Sequence, residues 1–101
     1  MVIYNVTTKV DHSIAAAWLQ WLKEEYIPAM IATGCFTRAV ILHVAEADDE
    51  EGVTYAVQYH GEDQERYLDY IDRFAEQMTK KAIDKWGNKF ISFRTLMKVV
   101  N

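Results

Sequence analysis

Two stretches of period-two alternation constrain this chain more than any other feature. From Val2 to Val10 the apolar residues Val2, Tyr4, Val6 and Val10 fall on even positions, with Asn5, Thr7 and Lys9 on odd ones. The segment Val53-Thr54-Tyr55-Ala56-Val57-Gln58-Tyr59 repeats that rhythm. Successive side chains of a strand point to opposite faces, so each stretch reads as a strand with one face against a core. A helical pattern follows each. Asp11 and Ser13 offer capping oxygens, after which Ile14, Trp18, Trp21 and Leu22 recur at helical spacing. Asp63 can cap a long second helix carrying Tyr67, Ile71, Phe74, Ala75, Met78 and Ala82 on one stripe.

The interruptions set the remaining boundaries. Pro28 lacks a donor and clashes with the preceding turn, which predicts a break or kink near Tyr26-Ile27. A short turn from Ala29 to Thr33 then closes at Gly34, and Gly87 ends the second helix. Phe36 to Ala47 reads as a second strand, joined to the third by the acidic turn Asp48-Asp49-Glu50-Glu51-Gly52. That run lacks the spaced oxygen ligands of a calcium loop, so it reads as a solvated turn. Phe90 to Val100 is the fourth strand, with Ile91, Phe93, Met97 and Val99 on odd positions and Ser92, Arg94 and Lys98 on even ones.

The order is therefore β-α-β-β-α-β across residues 1–101, with no repeat or linker to divide them into more than one domain. Two strand–helix–strand halves predict an α+β, ferredoxin-like fold: a four-stranded antiparallel sheet with two helices on one face. Tyr4, Val6, Tyr55, Val57, Tyr59, Ile91, Phe93 and Met97 are expected beneath the helices. The opposite face then carries Ile3, Asn5 and Thr7, Ala39, Ile41 and His43, Thr54, Ala56 and Gln58, and Ser92, Arg94 and Leu96. A solvent-facing sheet rarely places Ile3, Ala39, Ile41, Ala56 and Leu96 there, so this face is expected to meet a second copy in a homodimer.

Charge and composition exclude several classes of function. Half of the residues are hydrophobic, enough for a real core, and the net charge is -4. An acidic balance argues against nucleic acid and anionic membrane as partners, since both are held by clustered Lys and Arg. The RNA-recognition domains share this strand–helix order, but the comparable third-strand stretch opens with Glu51 and has Val53 where a stacking ring is expected. No basic segment and apolar run open the chain, and no stretch approaches the ~20 apolar residues of a membrane span, so a cytoplasmic location is expected. The single Cys35 cannot form an internal disulfide and reads as a small apolar residue.

Several segments together resemble a family of short bacterial proteins of unknown function. They are Val2-Ile3-Tyr4-Asn5-Val6, Trp18-x-x-Trp21 followed by Ile27-Pro28 and Thr33-Gly34-x-Phe36, Thr54 to Tyr59, and Phe93-Arg94-Thr95-Leu96. The resemblance covers nearly the whole length and implies a fold similar to the dimeric α+β barrel group. Some members of that wider group are cofactor-free monooxygenases or isomerases, and others bind or degrade haem, usually in a cavity between helices and sheet. The family pattern has a His before Ile-Pro where this chain has Tyr26, a departure that weakens any acid–base role at that position.

Residues that could carry chemistry are few. His12, His43 and His60 have no metal-ligand spacing, and no metal or cofactor is expected. Tyr4, Trp18, Tyr26 and Tyr55 could line an aromatic pocket beneath the Pro28 kink that suits a flat hydrophobic ligand, although ordinary core packing accounts for the same residues. Arg94, placed among apolar neighbours, needs a carboxylate or a ligand anion: a structural ion pair across the dimer, or a substrate clamp. The expectation is a homodimer without an evident catalytic motif and with room for a small hydrophobic ligand. The rival is a cofactor-independent enzyme using Tyr26, His43 and Arg94.

Overall fold

The apolar alternation of β1 (Val2–Asp11) places this strand at the middle of the sheet, paired antiparallel with β3 (Gly52–Gly61) on one side and β4 (Phe90–Lys98) on the other. β2 (Arg38–His43) pairs antiparallel with β3, giving the order β2-β3-β1-β4 of a ferredoxin-like sheet. This computed structural model describes residues 1–101. Between β1 and β2 run α1 (Ala15–Trp21), a π-helical turn (Leu22–Tyr26) and α2 (Ile27–Ala32). α3 (Gln64–Arg73) and α4 (Ala75–Trp86) lie between β3 and β4. No helix is long and apolar enough to cross a membrane.

Two helical expectations are corrected. The chain does not break at Tyr26-Ile27, since both residues keep right-handed helical dihedrals. Instead the turn before Pro28 widens, and Ile27 N–H donates to Leu22 O five residues back. Pro28 then falls in the first turn of α2, where its missing donor is least costly. The long second helix is in fact two, divided at Phe74, whose φ of -125° leaves the helical region. The break shifts the phase of the stripe: Tyr70 is buried and Ile71 is exposed. Asp63 does cap α3, accepting from Arg66 N–H at 2.9 Å, and Gly34 (φ 79°) and Gly87 (φ 63°) end their helices in the left-handed region.

The facing of the two edge strands is also corrected. Opposed residues in an antiparallel pair share a face. Tyr4 is paired with Leu96, Val6 with Arg94 and Thr8 with Ser92, so Ser92, Arg94 and Leu96 lie beneath the helices while Ile91, Phe93 and Met97 point away. Likewise Ala39, Ile41 and His43 oppose Tyr59, Val57 and Tyr55 on the helix side, leaving Val40 and Leu42 on the open face. Alternation reveals that the two faces of a strand differ, but not which way each points: the more apolar side of β4 turns outward, whereas β2 is apolar on both faces, with Ala39 and Ile41 inward and Val40 and Leu42 outward.

The core fills the space under the helices. Tyr59, Phe36, Met30 and Val10 are fully buried, and Trp18, Trp21 and Leu22 are buried along the first helical rod, matching the stripe read from the sequence. Tyr4 stacks on Phe36 at 5.8 Å and packs against Tyr70 at 5.6 Å. Cys35 is buried, and that burial pushes its thiol pKa up.

Candidate functional site

A cavity of about 110 Å³ remains between the sheet and the helices. β4 is an edge strand with a hydrogen-bonded neighbour on one side only, and α4 overlies it. The sheet floor is Tyr4, Val6 and Thr8 of β1, Val57 and Tyr59 of β3, and Phe90, Ser92 and Arg94 of β4. Trp18, Trp21, Leu22, Tyr26 and Met30 form one wall, and Tyr70, Thr79, Ala82 and Ile83 form the other. Buried Tyr4, Thr8 and Tyr59 mark the inner end, whereas Ser92, Arg94 and Ile83 are exposed and mark a mouth between β4 and α4. Small polar side chains keep the floor open there, with Thr8 Oγ1 and Ser92 Oγ hydrogen-bonded at 2.8 Å.

The widened turn sets Tyr26. Its ring lies 4.8 Å from Trp21, and its hydroxyl donates to Met78 O at 3.3 Å, bridging the first helical rod to α4. Arg94 Nη2 donates to Thr79 Oγ1 at 2.7 Å, spanning the mouth. The ion pairs of the protein are Arg73 with Asp69 and Lys80 with Asp84, and Asp49 faces His43, so the Arg94 guanidinium has no carboxylate partner.

Burial pushes the Tyr26 hydroxyl pKa up to about 12, with Tyr4 adding to the rise and Arg94 opposing it. Burial likewise raises Tyr4, Tyr59 and Tyr70, and Arg94 opposes the shift at Tyr4 and Tyr70. The phenols are therefore protonated at neutral pH and available as donors. No His, Asp, Glu or Cys lines the cavity.

Of the residues singled out in the sequence, the cavity brings together Tyr4, Trp18, Tyr26 and Arg94. It leaves out Tyr55 and His43. Tyr55 stacks on Trp18 at 5.6 Å, and His43 lies 5.8 Å from Tyr55, with its Nε2 3.3 Å from Asp49 Oδ2. His43 is thus committed to the acidic turn, which His12 Nε2 also holds through Asp49 O. No group of three or more His, Cys, Asp or Glu side chains is arranged to hold a metal ion. The remaining lining residues were not read as site residues. Tyr59 was visible as a core residue but not as a cavity residue, Ser92 only as a polar position of the fourth strand, Tyr70 was hidden by the break at Phe74, and Thr79 carries no pattern at all.

A family model described as a domain of unknown function, DUF4286, matches residues 1–100. The chain belongs to the DUF4286 family. This DUF4286 chain matches no curated protein at a significant level. Among solved structures it is similar to the crystal structure of a dimeric ferredoxin-like protein from an uncultured marine organism. The TM-score is 0.70 at 13% identity, with 100% of this chain and 96% of that one covered. At that identity the likeness is one of fold.

Proposed function

We propose that this DUF4286 protein is a homodimer in which each subunit binds one small, mainly apolar molecule in the cavity between α4 and β4. The observation that carries the binding reading is the cavity itself. Its walls are mostly apolar and aromatic, and a few polar groups converge at its mouth, the usual make-up of a small-molecule site. Binding is favoured over the cofactor-independent enzyme because no lining group other than the high-pKa tyrosines could act as a base, and His43 is turned elsewhere.

The open face of the sheet supports the dimer. Phe93 is 65% exposed and Ile91 56%, Met97 is exposed on the same strand, and Leu42 is exposed at the opposite edge of the sheet. The most exposed of these side chains lie on the edge strands β2 and β4, whereas the central strands present Asn5, Thr7 and Gln58 beside Ile3 and Ala56. A lone sheet would carry the reverse, with polar rims around an apolar centre. A second copy laid face to face covers both apolar rims and the strip between them, and a protein of similar fold is itself described as dimeric.

Both parts are open to test. Light scattering should give roughly twice the 11.8 kDa chain mass, and Phe93→Glu should return it to the single-chain value. Toluene should quench the fluorescence of Trp18 and Trp21 saturably and raise the melting temperature, as any ligand of the folded state does. A monomer at high concentration removes the dimer, and absence of both toluene effects removes the binding site.

A further inference from the structure

We infer that the molecule held in this cavity is a small aromatic or compact apolar carboxylate, with its ring against the tyrosines and tryptophans and its carboxylate on Arg94 at the mouth. The inference rests on the cavity being a binding site, and it adds the chemical class of the occupant.

The charge pattern carries it. Arg94 is the one cation among the lining residues, and no anion lines the cavity with it. Its guanidinium makes one side-chain hydrogen bond, to Thr79, which leaves most of its five donors without a side-chain partner. The register pairing of Arg94 with Val6 turns it inward under the helices, where nothing in the core needs a positive charge. The neighbouring ion pairs do not reach it, because Lys80–Asp84 and Arg73–Asp69 are each closed within a helix. A guanidinium at the mouth of an apolar cavity attracts the head of a ligand whose body is apolar, and its planar fork fits a carboxylate in two parallel bonds. Within reach of its charge stand the hydroxyls of Tyr4 and Tyr70, protonated donors that can share the load, whereas that of Tyr26 is given to Met78 O.

Size and charge narrow the class. About 110 Å³ is of the order of the ~150 Å³ apolar cavity that admits benzene, so there is room for about one ring, with its substituent at the open mouth, and not for a long chain. A phosphate ester calls for more positive charge or a cradle of backbone N–H groups. Neither is present: a single arginine faces the cavity, in a chain of net charge -4.

The experiment compares benzoate, benzyl alcohol and toluene as probes of the full chain, followed by tryptophan fluorescence and calorimetry at low salt. Benzoate should bind about tenfold or more tightly than benzyl alcohol, the advantage expected of a charge-assisted hydrogen bond. In R94M that ratio should fall to about one, and R94K, which keeps the charge and loses the fork, should retain part of it. The wild-type ratio needs no variant, so the comparison survives if a substitution impairs folding. Toluene and benzyl alcohol binding as well as benzoate would overturn the carboxylate while the cavity reading stands. A benzoate advantage that persists in R94M would overturn the role of Arg94. Failure of all three probes to bind would overturn the cavity reading together with this one.

Discussion

Arg94 and Thr79 meet across the mouth of the cavity, guanidinium to hydroxyl at 2.7 Å, and so tie the edge strand β4 to α4. Because Arg94 is exposed, water can replace the lost partner when the hydroxyl is removed. Thr79→Val should therefore lower stability by only about 0.5–1.5 kcal/mol. In urea unfolding this is a shift of midpoint at unchanged slope. A loss above ~3 kcal/mol would mean that the bond is part of the core rather than a latch over an opening.

Trp18 and Tyr26 line the same cavity but should respond differently to substitution. Trp18 is buried and stacked on Tyr55, so Trp18→Ala is expected to cost on the order of 3–5 kcal/mol, the loss usual for a large buried aromatic. Tyr26→Phe removes one hydroxyl, whose bond to Met78 O is long at 3.3 Å, and should cost less than about 1.5 kcal/mol. Parallel urea denaturation decides the matter. Near-wild-type stability of Trp18→Ala would show that its ring is not part of the packed stripe.

The contrast between these residues marks what could be read from the sequence. The stripe of Trp18, Trp21 and Leu22 and the alternation of β1 and β3 are set by local period, and the structure buries them as expected. Element order followed, and with it the ferredoxin-like fold. The facing of β2 and β4 did not follow, because β2 is apolar on both faces, β4 is amphipathic in its own right, and only pairing decides which side turns inward. Arg94 therefore moved from the open face to the cavity mouth. The break at Phe74 was invisible for a related reason: no Gly or Pro marks it, and the apolar spacing runs through it without interruption.

His43 offers a check on the corrected site. Its partner is Asp49, with side chains 47% and 40% exposed, and so open a contact contributes at most about 0–1 kcal/mol. His43→Ala should then change stability by less than ~1 kcal/mol and leave the affinity for benzoate within about twofold, at the ~0.4 kcal/mol level that affinity arithmetic gives. A tenfold loss of benzoate binding would return His43 to the site.

Alkaline titration probes the buried phenols directly. In the unfolded chain a tyrosine loses its proton near its ordinary pKa of 10.0, whereas folded Tyr26 holds its proton until about pH 12 because burial disfavours the phenolate. Between those values the unfolded chain binds fewer protons than the folded one, so the free energy of unfolding falls as pH rises. The contribution of Tyr26 is fully present below about pH 10 and is lost as pH climbs through about 12. Tyr4, Tyr59 and Tyr70 are raised by burial too and act in the same direction. Urea denaturation at about pH 9 and pH 11 should therefore show a marked loss of stability at the higher pH, smaller in Tyr26→Phe than in wild type because one of the coupled phenols is gone. Equal losses in the two proteins would mean that Tyr26 ionises as an exposed tyrosine does, and that its hydroxyl is not sealed beneath α4.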